Sequence, residues 1–136
     1  MRQDIANETG RIHILITDDE EDFLGLLKEE LTELDEHFQV FVANSGYQAL
    51  GILQSEEIHL LLTDIAMNDM DGYELYSRVK DIRPDMPIIM MTGFGYDPNH
   101  TVVNAKKVGL RDILFKPFEV SKLLALIYES LKRNEK

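Results

Sequence analysis

The chain has 136 residues, 44% of them hydrophobic and 29% charged, with no cysteine and a formal net charge of −11. A domain of this size buries roughly 70% of the surface its unfolded form exposes, so one complete core is feasible. Disulfides and thiolate metal sites are excluded, no apolar stretch approaches the ~20 residues of a membrane span, and the acidity disfavours nucleic acid as a partner of this segment.

Residues 1–10 lack the apolar core and small-residue cleavage site of a secretory signal and read as a flexible leader, leaving one domain over 11–134 that is compatible with a cytoplasmic location. The first apolar run, Arg11 to Thr17, is dense enough for a buried strand and ends in Asp18 and Asp19. Phe23, Leu26, Leu27, Leu31 and Leu34 follow at i, i+3, i+4, i+8 and i+11, one face of a helix. The next run, Phe38 to Ala43, alternates more and is expected at a sheet edge. Ser45 to Gln48 fit a capping box that leads into a second helix through Ala49, Leu50 and Leu53.

Ile58 to Thr63 form an apolar run that ends in a lone carboxylate, Asp64, a residue that suits chemistry better than packing. Asp71, Gly72, Tyr73 and Glu74 open a third helix, which must stop at Arg83 because Pro84 disfavours helix in its predecessor. A strand over Ile88 to Thr92 follows, then a short helix on Val102, Val103, Ala105 and Val108 closed by Gly109. Asp112 to Phe115 are the fifth strand, and Val120, Leu123, Leu124, Ile127 and Leu131 face a last helix with Lys132 and Arg133 at its negative end.

The order is βαβαβαβαβα, and strands apolar on both faces argue for an α/β domain: a doubly wound, five-stranded parallel sheet. If the strands are parallel neighbours, Asp18, Asp19, Asp64, Thr92 and Lys116 converge on the rim where such sheets bind ligands. Three acids, a hydroxyl and an amine suit a magnesium-assisted phosphoryl transfer, since crowded carboxylates call for a hard divalent ion.

Four motifs, Ile14 to Asp19, Leu61 to Gly72, Met91 to Gly93 and Phe115 to Phe118, resemble those of bacterial two-component response-regulator receiver domains. The resemblance spans about Arg11 to Leu131. It implies the flavodoxin-like strand order 2-1-3-4-5. It also implies Asp64 as phosphoacceptor, and Asp19 and Asp64 as ligands of magnesium or manganese, with Asp18 acting through water and the Ala66 main-chain oxygen as a further ligand. Thr92 and Lys116 become the groups that contact the phosphoryl oxygens. The implied donor is a sensor histidine kinase or a phosphotransfer protein, and the downstream partner is unknown.

Two positions depart from the family pattern. Asn68 stands where proline is usual, and Ile113 where an aromatic ring usually changes position on activation. The glycines of Gly93 to Pro98 permit motion, so Phe94 or Tyr96 is expected to carry part of the switch alongside Thr92 and position 113.

Plainer readings stand beside these. Asp69 and Asp71 read as loop and capping residues; His13, His37, His59 and His100 as unclustered packing or surface histidines; and the methionines as core and loop filler. An aspartyl phosphatase commonly places a second acid two residues past its nucleophile. Ala66 occupies that position here, and the length leaves no cap domain, so self-catalysed phosphorylation and dephosphorylation of Asp64 is the only expected chemistry. The alternative within the family is a degenerate receiver that binds partners without phosphorylation. A stand-alone regulator and a piece of a hybrid kinase fit the sequence equally.

Overall fold

The computed structural model describes residues 10–67, 69–93 and 112–134. Five strands, β1 (Ile12–Thr17), β2 (Phe38–Ala43), β3 (Leu60–Asp64), β4 (Ile88–Thr92) and β5 (Asp112–Phe115), form one parallel sheet in the order β2-β1-β3-β4-β5. The expected order is thus met, with β2 at an edge as its alternating pattern suggested. Among the described residues four helices, α1 (Glu21–Leu34), α2 (Gly46–Ser55), α3 (Gly72–Ile82) and α4 (Val120–Asn134), cover the sheet. The leader residues 1–9 and the helix expected over 102–109 lie outside the described residues.

Because side chains alternate along a strand, each central strand feeds two cores. Ile12, Ile14 and Ile16 of β1, Leu60 and Leu62 of β3, and Ile89 and Met91 of β4 pack with Leu24, Leu27 and Leu31 of α1 and Leu123, Ile127 and Leu131 of α4. On the other face Leu15, Leu61, Ile88 and Met90 meet Ala49 and Leu53 of α2 and Leu75 and Val79 of α3. Met70, Met86, Met90 and Met91 are all buried, as core-filling methionines should be.

The apolar face read for α1 needs correction. Leu26 is 62% exposed and Leu34 54%, while Leu24 is buried. Successive helical residues are turned by about 100°, so a stripe centred on Leu24, Leu27 and Leu31 leaves Leu26 on the outside. Leu34 is the last residue of the helix.

The helix starts follow local chemistry. Ser45 Oγ accepts the Gln48 amide at 3.1 Å, and the Gln48 side-chain oxygen accepts the Asn44 amide at 2.6 Å, a capping box whose return bond falls one residue early. Asp71 caps α3 by accepting the Glu74 amide at 2.9 Å. That helix ends at Ile82, with Arg83 as its C-cap, as Pro84 requires.

The histidines are less scattered than the sequence suggests. The His13 and His59 rings meet in a T-shaped arrangement at 5.4 Å, and the His13 amide donates to His59 Nδ1 at 2.8 Å. Neighbouring β1 and β3 bring their flanks together, so sequence distance misleads here. The pairing serves packing, since it ties the amide to a ring nitrogen.

Candidate functional site

β1, β3 and β4 are adjacent and parallel, so Asp18, Asp64 and Thr92 emerge at one edge of the sheet. Asp18 follows β1 directly and is fully buried, its amide donating to the Ala43 carbonyl at 3.1 Å and its Oδ1 accepting the Glu20 amide at 2.9 Å. Carboxylate oxygens of Asp18, Asp19 and Asp64 all lie within 4.8 Å of one another. Such a set of hard oxygen donors fits a magnesium-sized divalent cation.

Lys116 reaches into this cluster from the turn after β5. Its Nζ sits 2.6 Å from Asp18 Oδ2, 3.7 Å from Asp64 Oδ1 and 3.7 Å from Glu20 Oε1. It also lies 4.3 Å from the centroid of the Phe23 ring, which meets Phe118 edge-on at 6.2 Å. The Lys116 amide donates to the Thr92 carbonyl at 2.7 Å, binding the ends of β4 and β5 together. The Thr92 hydroxyl is buried and has no hydrogen-bond partner among the described residues. Buried polar groups are almost always satisfied, so this one is available to a ligand.

Electrostatics mark Asp64 out. Burial pushes its carboxyl up most, Lys116 opposes, and Asp18 and Asp19 push it further, to about 6. Burial alone would lower the Lys116 ammonium, yet its hydrogen bond to Asp18 and the charges of Asp64, Asp18 and Glu20 raise it, so it stays charged.

Gly72 supports the strand end that carries Asp64. A Cβ there would lie 2.6 Å from the Asp64 carbonyl oxygen and 2.9 Å from Ile65 Cα, so only glycine allows α3 to start this close. The Gly72 amide donates to the Ile65 carbonyl at 2.7 Å. Asp69 accepts the Gly46 and Tyr47 amides at 3.1 and 3.0 Å, fastening the loop after Asp64 to the start of α2. Burial raises this carboxyl, but the amides of Tyr47, Gly46 and Met70 bring it below its ordinary value.

Of the residues singled out in the sequence, Asp18, Asp19, Asp64 and Lys116 thus share one cluster, and Thr92 is joined to it through the Lys116 main chain. Ala66 lies in the loop two residues past Asp64 and is partly buried. Ile113 is not part of the cluster: it lies on β5, paired with Met90 of β4, and packs against the core face under α2 and α3. Asn68, Phe94 and Tyr96 lie outside the described residues. Sequence reading missed Glu20 and Phe23 as neighbours of Lys116, and no local pattern distinguishes Phe23 from any apolar residue of α1.

The family model for the response regulator receiver domain matches residues 14–128, and the chain belongs to that family. It is 33% identical over 122 residues to the transcriptional regulatory protein GlrR of Escherichia coli, an alignment covering 90% of this chain and 27% of that protein. To the transcriptional regulatory protein ZraR of Klebsiella oxytoca it is 34% identical over 121 residues, covering 89% of this chain and 26% of the relative. The chain therefore spans about a quarter of the length of these curated relatives.

Among solved structures, a CheY-like receiver domain protein from Methanospirillum hungatei superposes with a TM-score of 0.81 at 31% identity, covering 92% of this chain and 97% of that one. The receiver domain of NtrX from Brucella abortus gives 0.77 at 28% identity, covering 88% and 98%. Membership places the chain among signal receivers rather than in an enzyme family in its own right. No helix of the described residues is long and apolar enough to cross a membrane.

Proposed function

We propose that the chain is the phosphoacceptor of a two-component relay, taking a phosphoryl group onto Asp64 from the phosphohistidine of a sensor histidine kinase or a phosphotransfer protein. The observation that carries this is the meeting of three carboxylates with the Lys116 ammonium beside a buried hydroxyl that lacks a partner among the described residues.

A carboxylate titrating near 6 is ionised at neutral pH, so Asp64 needs no base to act as nucleophile. One of its oxygens forms the new O–P bond while the P–N bond to the donor imidazole breaks and its electron pair stays on the ring. Phosphoryl transfer passes through a loose transition state, for which positioning and neutralisation matter most. Asp18, Asp19 and Asp64, with the Ala66 main-chain oxygen, would hold magnesium or manganese, which when bound offsets the charge of the cluster and of the phosphoryl oxygens. Lys116 supplies a second positive charge, and the Thr92 hydroxyl donates to a phosphoryl oxygen. The segment's net charge of −11 argues against direct contact with nucleic acid, so its readout goes to a protein.

Treating the protein with acetyl phosphate and magnesium, followed by intact mass spectrometry, tests this reading. One phosphoryl group is expected on the wild type and none on Asp64→Asn. One observation favours a second reading, a receiver that binds partners without phosphorylation: the aliphatic Ile113 packs into the sheet face where an aromatic switch residue would be expected. An unmodified wild type in the same experiment would support it.

A further inference from the structure

We propose that Phe23 is a positioning residue for Lys116, its ring face holding the ammonium beside Asp18 and Asp64 where the phosphoryl group is received. The inference rests on the phosphoacceptor reading of Asp64.

A lysine side chain is a flexible stem carrying a compact charge, and here three acids compete for it. Asp18 lies 2.6 Å away, and Asp64 and Glu20 are each at 3.7 Å. Glu20 is the exposed one, with 70% of its side chain open to solvent, and left to the carboxylates alone the ammonium could swing outward toward it. The Phe23 ring stands 4.3 Å from Nζ and offers its electron-rich face to a cation that is only 14% exposed, the partly dry setting in which such contacts are strongest.

The ring is itself fixed. Phe118, two residues beyond Lys116, meets it at 6.2 Å and 87°, and both rings pack against the core face under α1 and α4. The platform thus joins the first turn of α1 to the segment that carries the lysine. A phenyl ring neither titrates nor binds a hard divalent ion, so its hold on Lys116 persists when a cation draws the carboxylates away. A side chain kept only for core filling at this position could equally be leucine; a cation platform requires an aromatic face.

The test compares the full chain with Phe23→Leu and Phe23→Tyr. It measures the rate of acetyl phosphate labelling in magnesium by mass spectrometry, and the Lys116 Cε–Hε resonance by NMR. Phe23→Leu is expected to label about three- to tenfold more slowly, with the Lys116 resonance losing its ring-current displacement. Phe23→Tyr, which keeps the face, is expected to restore both. Should the leucine variant not fold, Phe23→Met takes its place. Equal rates for the wild type and the leucine variant overturn the inference alone, as does a tyrosine variant as slow as leucine. A wild type that takes up no phosphoryl group overturns the phosphoacceptor reading and this inference with it.

Discussion

At Asp64 the folded carboxyl titrates at about 6 against 3.8 for the ordinary group. Between those values the folded protein keeps a proton that the unfolded chain has released. Stability from this group is therefore complete below the unfolded value and is lost as pH rises through the folded one, by about 3 kcal/mol. In metal-free buffer Asp64→Asn is expected to match the wild type in acid and to exceed its stability by about that amount near neutrality. Urea unfolding at a series of pH values measures the difference, and an asparagine variant no more stable than wild type at neutral pH would contradict it. Lys116 has the opposite character. Its removal strands the fully buried Asp18 without its ion-pair partner, so Lys116→Met should destabilise by about 3 kcal/mol, with much of the loss recovered in the Asp18→Asn, Lys116→Met double variant.

Among the elements, α3 and α2 are the ones that frame Asp64 and the loop after it. Gly72→Ala would drive a methyl group into the Asp64 carbonyl and the Ile65 backbone, neither of which can rotate away. The expected result is a loss of about 1–3 kcal/mol together with slowed labelling of Asp64. Asp69→Ala removes the carboxylate that accepts two amides of the first turn of α2, and thermal melting should register about 1 kcal/mol. The strands were readable because their apolar runs are short, dense and closed by polar residues, as in Leu60–Asp64, whereas their full order followed from the family resemblance. The acids at strand ends were readable for the same reason. The orientation of α1 was not, since five leucines and a phenylalanine offer more than one stripe and only packing against the sheet selects Leu24 over Leu26. Contacts that cross between elements, such as Asp69 on α2, His13 with His59 and Phe23 with Lys116, leave no mark in local spacing.

For the molecule as a whole, net charge −11 and three crowded carboxylates make a divalent cation stabilising. At a magnesium concentration 100 times its dissociation constant the folded state gains about 2.7 kcal/mol. Melting temperature should rise with added magnesium and less so in Asp19→Asn; a melting curve indifferent to the ion would refute the proposed metal site. On the proposed phosphoacceptor reading, phosphorylation would add about −1.5 to −2 charges, and new bonds from Thr92 and Lys116 to the phosphoryl oxygens would contribute ~1.5–3 kcal/mol each. Their sum, roughly 3–6 kcal/mol, brackets the ~5.5 kcal/mol needed to move a two-state equilibrium from 1:99 to 99:1.

The bond from the Lys116 amide to the Thr92 carbonyl acts as a yoke across that equilibrium. The bond favours joint movement of the two residues, so on the phosphoacceptor reading the two strand tips should advance as a single stroke. Removing either side chain would then take away about half of the driving energy, and removing both would abolish the response.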